Sequence, residues 1–259
     1  MDEILLIEKH GDITSLQLNR PAKANALSDA LVRALQHAID VATTDDTRVL
    51  TIQGTGNNFC AGFDLSSLET ENDETLIKRL QRAETMLQAL FHAPFATVAL
   101  VRGGAYGAGF DLLMCCDYRI ATHGALFRMP SWRMGIAIGT RRAVARIGPE
   151  RAFELLRSAR VIDTEHVNHA NHANNVNGVN RASNVNEALT LQIVTEFADS
   201  VTWPRRVDDI ASEVAALPAN GYARLKQIIV QDTRQKDMQD LLDSLRAEPL
   251  KPRMQSYLK

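Results

Sequence analysis

Residues 103–117 read GGAYGAGFDLLMCCD, directly after an apolar run at Thr97–Val101 that is rich in β-branched residues. The small residues allow backbone N–H groups to approach a ligand closely, and the apolar half predicts a helix from about Ala108 to Cys116. A turn that runs into a helix directs the positive end of the helix dipole towards an anion or a developing oxyanion. From composition alone, glycines that only permit tight strand–helix packing are an equally good interpretation.

A second stretch has the same design. Residues 59–65 read FCAGFDL, after a predicted buried strand at Val49–Gln53. Neither stretch is a nucleotide-binding fingerprint, because no GxGxxG opens a βα unit and no GxxxxGK[ST] occurs in the chain. Cys60 has no neighbouring histidine in the sequence, so we interpret it as a buried, reduced thiol rather than a nucleophile.

Strands and helices alternate along the chain, which predicts an α/β architecture. The further predicted elements are two strands within Ile4–Leu18 around the turn His10-Gly11-Asp12, a helix from the N-cap Ser28 to about Val41, a helix over about Glu74–His92 that Pro94 ends, a strand at Tyr118–Ala121, and mainly helical structure after Pro204.

Composition excludes several classes of protein. The chain has 259 residues, a formal net charge of -2 and three cysteines without a CxxC spacing. The absence of a basic excess argues against nucleic acid or an anionic membrane as partner, and we find neither a signal peptide nor an apolar stretch that could cross a bilayer. We therefore predict a soluble, cytoplasmic protein in a reducing compartment.

An Asn-rich segment occupies residues 166–186, HVNHANHANNVNGVNRASNVN. It lacks apolar periodicity and indicates a turn-rich or mobile segment. His166, His169 and His172 recur every third residue beside Glu165, which is a pattern that metal sites can have. Helical zinc ligands are more typically spaced i, i+4, so we predict a polar, exposed segment and no metal site.

Three motifs taken together resemble the crotonase, or enoyl-CoA hydratase/isomerase, superfamily in order and spacing: NRPAKANAL at residues 19–27, FCAGFDL at 59–65 and the stretch 103–117. The resemblance implies an α/β, crotonase-like spiral of ββα turns over residues 1–200. It also implies a helical C-terminal region over residues 201–259 that mediates assembly into a homotrimer or hexamer.

Residue by residue, the family's oxyanion hole corresponds to the backbone N–H groups of Phe63 and Ala108, which would bind the carbonyl oxygen of an acyl-CoA thioester. Ala108 stands where the family usually has glycine. Backbone around Ala24, Ala61 and Leu65 would follow the rest of coenzyme A. No cofactor is implied besides the coenzyme A of the substrate.

The chain departs from the family at the two glutamates that hydratases use, since these positions hold Asp111 and Ser131. An aspartate can act as an acid or base, whereas a serine needs another group to drive proton transfer. Asp111 lies in an apolar helix, where a charge is either paired or functional. Its alternative role is a structural ion pair with Arg128 or Arg133. These arginines and Trp132 either form a wall of the acyl pocket, in which an arginine binds a substrate carboxylate, or are solvated surface arginines beside a packed tryptophan.

Two functions follow from the resemblance. The first is a lyase or isomerase of the enoyl-CoA hydratase/isomerase type that stabilises a thioester enolate, with Asp111 and Ser131 at the catalytic positions. The second is a catalytically silent protein of the same fold that binds acyl-CoA or a protein partner.

Overall fold

The computed structural model describes residues 3–164 and 187–258. Its strands are β1 (Leu5–His10), β2 (Ile13–Leu18), β3 (Val49–Gly54), β4 (Ala96–Val101), β5 (Gly104–Tyr106), β6 (Tyr118–Ala121), β7 (Leu126–Arg128), β8 (Ile162–Asp163) and β9 (Glu196–Phe197). Its helices are α1 (Asp29–Thr44), α2 (Asp73–Phe91), α3 (Ala108–Cys115), α4 (Thr140–Ile147), α5 (Pro149–Ser158), α6 (Glu187–Thr190), α7 (Trp203–Ala215), α8 (Gly221–Ile229), α9 (Arg234–Arg246) and α10 (Leu250–Leu258).

The main sheet has six strands in the order β1-β2-β3-β4-β6-β9. Strands β1 and β2 form an antiparallel hairpin, and the remaining neighbours are parallel. Every residue of β4 is buried, because helices cover both faces of the sheet, as parallel sheets require. On one face Val98 and Ile120 pack with Trp203 and Ile210 of α7. The larger core, which includes α1, α2 and α3, lies on the other side.

A second, shorter sheet positions the candidate site. It has the order β5-β7-β8, and two isolated parallel bridges, Cys60 with Ala105 and Leu27 with Phe63, extend it. Segments that are far apart in sequence therefore lie side by side. The turn at residues 59–65 and the turn that leads into α3 become neighbours in space.

Most of the predicted elements are confirmed. The Ser28 side chain caps α1 by accepting a hydrogen bond from the Leu31 amide, and the helix ends at Thr44 rather than Val41. Helix α2 begins one residue before the predicted start, and α3 ends one residue before the predicted end. The α/β architecture and the helical C-terminal region are both present. The predicted boundary between a core of residues 1–200 and a C-terminal region of residues 201–259 falls between β9 and α7, and it stays a prediction. The role of residues 201–259 in assembly also stays a prediction.

The Asn-rich segment and its three histidines lie outside the described residues. Within the described ranges, no group of three or more histidine, cysteine or acidic side chains is arranged to hold a metal ion. No helix in those ranges combines the length and the apolar character needed to span a membrane.

Candidate active site

A cavity of about 450 Å³ lies between the shorter sheet and helix α10. One wall is formed by the two glycine-containing turns, which contribute Gly62, Phe63 and Ala108. The rest is mostly apolar and includes Leu80, Ile136, Ile138, Met254 and Leu258. A small polar group that enters this cavity would meet backbone N–H groups in apolar surroundings, where hydrogen bonds are electrostatically stronger than in water.

The amide of Phe63 faces away from the neighbouring strand. Leu27 donates to the carbonyl of Gly62 at 2.7 Å and accepts from the amide of Asp64 at 3.1 Å. These two bonds flank Phe63, so its own N–H group is directed to the opposite side. Among the described residues, no backbone carbonyl accepts a hydrogen bond from this amide.

The amide of Ala108 is the first of helix α3. The first N–H groups of a helix have no acceptor within the helix, and they form the positive end of the helix dipole. Within the described part of the chain, no backbone carbonyl accepts from Ala108. Its φ angle is not positive, so the methyl group of Ala108 causes no backbone strain.

Gly62 allows the two turns to pack directly against each other. Its φ angle is +97°, and a Cβ atom at this position would lie 2.6 Å from the Tyr106 carbonyl oxygen and 3.3 Å from the Ala108 nitrogen. Only glycine combines this conformation with this approach. The bonds from Cys60 N to Gly104 O (3.0 Å) and from Tyr106 N to Cys60 O (2.9 Å) fix the register of the turns.

Two arginines hold the first turn from behind. Arg79 donates to the Asp64 carbonyl at 2.8 Å and stacks over the Phe63 ring at 4.4 Å. Arg20 pairs with the Asp64 carboxylate at 2.8 Å. Burial acts to raise the pKa of Asp64, but hydrogen bonds from Ser66 and Arg20 outweigh it and keep that pKa below its ordinary value.

Arg20 and Arg79 are functional residues that we did not predict from the sequence. A signal for Arg79 was present, because it lies on the apolar face of α2 beside Leu76, Leu80 and Ala83, where an unpaired charge is costly.

Asp111 is fully buried in α3, and the residues that line the cavity do not include it. Loss of solvation raises its pKa to about 7; the positive charge of Arg142 opposes the rise and Glu84 adds to it. Its Oδ2 has no hydrogen-bond partner among the described residues. Oδ1 lies against Gly139, where a Cβ atom would be only 1.6 Å away.

The predicted ion pair of Asp111 with Arg128 or Arg133 is wrong. Arg128 donates instead to the Ala159 carbonyl at 2.7 Å, and Arg133 donates to the Ser158 carbonyl at 2.9 Å. The arginine whose charge acts on Asp111 is Arg142, and its guanidinium makes two hydrogen bonds of 2.7 Å to Glu84. Asp111 and Glu84 thus both lie near the Arg142 guanidinium, and Glu84 accepts both hydrogen bonds that this guanidinium donates.

Ser131 lines the cavity, and its buried Oγ has no hydrogen-bond partner in the described ranges. Arg128 lines the same cavity, whereas Trp132 and Arg133 line a separate apolar groove with Phe153. Trp132 is 45% exposed, so it is not a packed core residue, and it donates through Nε1 to the Thr140 hydroxyl at 3.0 Å. The three residues considered as one acyl-pocket wall are therefore divided between two surfaces.

Of the three residues whose backbone is predicted to follow coenzyme A, the structure places two in the cavity wall. Ala61 and Leu65 line the cavity, and Ala24 does not. Ala24 has a left-handed backbone, and its carbonyl accepts from the Ala61 amide at 2.9 Å. Cys60 lies next to them as a free, buried thiol. Burial raises the pKa of this thiol to about 12, which agrees with the predicted unreactive cysteine.

The α/β fold, in which two glycine-containing turns lie side by side in the wall of an apolar cavity, is that of a crotonase-type protein. The sequence model of enoyl-CoA hydratase/isomerase matches residues 8–171, and the chain belongs to this family.

Individual relatives agree with this membership. An enoyl-CoA hydratase/isomerase homologue of Bacillus subtilis (strain 168) is 35% identical over 167 residues, which are 61% of this chain and 63% of that protein. The ethylmalonyl-CoA decarboxylase of Gallus gallus is 31% identical over 62% of this chain and 56% of its own length. Each match spans less than two thirds of the relative. A solved enoyl-CoA hydratase/isomerase homologue from Bordetella parapertussis superimposes with a TM-score of 0.88, at 33% identity and 98% coverage of both chains.

Proposed function

We propose that this chain binds an acyl-CoA thioester and that the N–H groups of Phe63 and Ala108 bind its carbonyl oxygen. The observation that carries the proposal is the pair of amides on adjoining turns in the wall of an apolar cavity. Negative charge develops on the carbonyl oxygen when an enolate forms, and donors placed at that oxygen stabilise it. One such donor contributes about 10²–10³ in rate in well-studied hydrolases.

The rest of coenzyme A is proposed to follow the backbone at Ala24, Ala61 and Leu65. Support comes from the lining positions of Ala61 and Leu65 and from the hydrogen bond between the backbones of Ala24 and Ala61. No cofactor is proposed besides the coenzyme A of the substrate.

Asp111 is the proposed acid/base residue. It lies one helical turn after Ala108, and a pKa of about 7 suits proton transfer near neutral pH. Ser131 is proposed to hydrogen-bond the acyl group, because its Oγ is an unpartnered polar atom in a residue that lines the cavity. This pair does not support hydration by two glutamates. The reaction is one of those that share the enolate, such as the isomerisation and decarboxylation for which relatives are named.

The proposal is tested by incubating the purified chain with enoyl-, malonyl- and β-ketoacyl-CoA thioesters. We expect turnover of at least one thioester and a loss of about 10²-fold or more in the Asp111→Asn variant, with binding retained. Asp40→Asn is the control, because Asp40 lies on the exposed side of α1 and accepts a bond from Gln36. Full activity of Asp111→Asn would contradict the proposed role of Asp111.

A catalytically silent acyl-CoA-binding protein is the second candidate. It is favoured by one observation, that Asp111 is absent from the residues lining the cavity. It predicts thioester binding by calorimetry without turnover of any member of the panel. If only the glutamates are missing, the double variant Asp111→Glu with Ser131→Glu gains hydratase activity, and if it gains none, the loss lies elsewhere in the site.

A homotrimer or hexamer is the proposed assembly. Support comes from helix α8, which exposes three large apolar side chains, Leu225 (49%), Ile228 (75%) and Ile229 (70%). Contiguous exposed apolar surface marks sites of protein association, and a second copy of this chain is the proposed occupant.

A further inference from the structure

Arg128 is the one charged residue among the described residues that line the cavity. Its neighbours in the lining are apolar or uncharged, and they include Pro130, Ile136 and Val161. Arg128 is half-buried, so water screens its charge less than the charge of a fully exposed surface arginine.

The guanidinium of Arg128 is held in place but not saturated. Nε donates to the Ala159 carbonyl at 2.7 Å, and the ring of Tyr257 lies 6.0 Å from Cζ. In the described part of the chain, neither terminal nitrogen donates to a protein acceptor, and no carboxylate forms an ion pair with this residue. Two parallel donors are therefore available, which is the arrangement that binds a carboxylate in a bidentate manner.

The position of Arg128 separates it from the proposed path of coenzyme A. In the shorter sheet Arg128 lies on β7, opposite Tyr106 of β5. Strand β5 lies between β7 and the Cys60 segment, which continues into Ala61. Arg128 also lies just before Pro130 and Ser131 in the chain. An anion bound by Arg128 is thus better assigned to the acyl group than to the phosphates of coenzyme A.

We propose that the acyl group carries a free carboxylate that Arg128 binds, so that the substrate is a coenzyme A thioester of a dicarboxylic acid. This inference rests on the proposed function. The apolar residues of the cavity contact the methylene chain, the two amides contact the thioester oxygen, and the guanidinium contacts the distal carboxylate.

The experiment compares thioesters that differ in one charged group. Malonyl-, succinyl-, glutaryl- and adipyl-CoA are each paired with the unsubstituted acyl-CoA of the same carbon number. Affinities are measured by calorimetry, with chromatography to show that the thioester stays intact, and free coenzyme A is measured alongside. Wild type is compared with Arg128→Met, Arg128→Lys and the control Arg133→Met. The control removes a nearby arginine that also donates to a backbone carbonyl but lines the other groove.

Wild type is expected to bind at least one acidic thioester about 10–100-fold more tightly than its neutral partner. Arg128→Met is expected to lose this preference, while its affinity for the neutral thioester stays within about twofold of wild type. Arg128→Lys is expected to keep part of the preference for the acidic thioester, and Arg133→Met is expected to keep all of it. Equal affinity of wild type for both partners would overturn the inference and leave the proposed function standing. An equal loss for acidic thioesters, neutral thioesters and free coenzyme A in Arg128→Met would also overturn it. If wild type binds no thioester, the proposed function fails first.

Discussion

Burial of the Asp111 carboxyl group decides when this residue is ionised. Desolvation raises its pKa from 3.8 to about 7, since the opposing charge of Arg142 only partly compensates. Because the folded-state pKa is above the unfolded one, the folded protein holds this proton more tightly. The associated stability is fully present below about pH 4, is lost progressively as the pH rises towards 7, and changes little above that.

This shift predicts a pH-dependent effect of Asp111→Asn on stability. At about pH 3.5 the variant and wild type are expected to have similar free energies of unfolding, because Asp111 is then largely protonated in both folded and unfolded wild type. Near pH 8 the variant is expected to be more stable by roughly 2–4 kcal/mol, because wild type then buries a charge. Urea denaturation at the two pH values measures the difference, and a difference independent of pH would contradict the account.

Gly139 provides a second prediction at this scale. Its φ angle is +69°, and a Cβ atom would overlap Asp111 Oδ1, so Gly139→Ala combines backbone strain with a clash in the core. We expect a loss of about 3 kcal/mol in unfolding free energy.

Gly11 is the matched control for Gly139. Its φ angle is +59°, and nothing lies within 4 Å of a Cβ atom at that position, so Gly11→Ala measures backbone strain alone. We expect this variant to lose about 1 kcal/mol. Equal losses for the two variants would show that Asp111 does not pack against Gly139 as described.

At the scale of single elements, α2 supports the first turn through Arg79. The buried guanidinium contacts the Asp64 carbonyl, the Ser67 hydroxyl and the Glu71 carboxylate. Replacing one partner of a buried pair leaves the others unsatisfied. Arg79→Met is therefore expected to destabilise the protein by about 2–4 kcal/mol and to weaken thioester binding.

Arg82→Met on the same helix is the control for Arg79→Met. The Arg82 ion pair with Asp29 is about one third exposed on both sides, so its loss is expected to cost about 1 kcal/mol or less. Chemical denaturation with thioester titration of both variants measures the contrast. If the two variants behave alike, Arg79 does not position the turn.

Helices α1 and α2 could be predicted from the sequence because the residues that mark their ends are local. Ser28 followed by an apolar periodicity is enough to place α1, and Pro94 marks the end of α2. The shorter sheet could not be predicted this way, because it joins Leu27, Phe63, Ala105 and Phe127 through pairings between distant segments. The site residues on this sheet could be predicted only through the family resemblance. That Arg128 lines the cavity and Arg133 lines the separate groove could not be predicted, because it depends on how the sheet is assembled.

At the scale of the whole molecule, assembly depends on the attachment of the C-terminal helices. Lys226 and Tyr222 of α8 bond to the buried Asp117 carboxylate at 2.7 Å and 3.0 Å. These bonds fix one side of the helix to the core. An adjoining side of the helix presents Leu225, Ile228 and Ile229 to solvent.

The proposed trimer or hexamer predicts that Ile228→Asp dissociates the assembly. Burying an aspartate charge in an apolar interface costs more free energy than the isoleucine contact contributes to association. Gln227→Asp adds the same charge roughly 150° around the helix from the centre of the three apolar side chains and is expected to leave the assembly intact. Light scattering measures the mass of both variants. A wild-type chain that is monomeric at micromolar concentration would contradict the proposed assembly.

The proposed chemistry requires the amides of Phe63 and Ala108 to polarise a thioester carbonyl. Ala108 is the first residue of α3, a position that tolerates proline, so Ala108→Pro removes one N–H group without breaking the helix, and Ala108→Gly retains that group. The most direct measurement is the infrared stretching frequency of a ¹³C-labelled thioester carbonyl bound to wild type and to both variants. We predict a shift to lower frequency in wild type and in Ala108→Gly and a much smaller shift in Ala108→Pro. A shift of equal size in all three proteins would show that the Ala108 amide does not polarise the carbonyl.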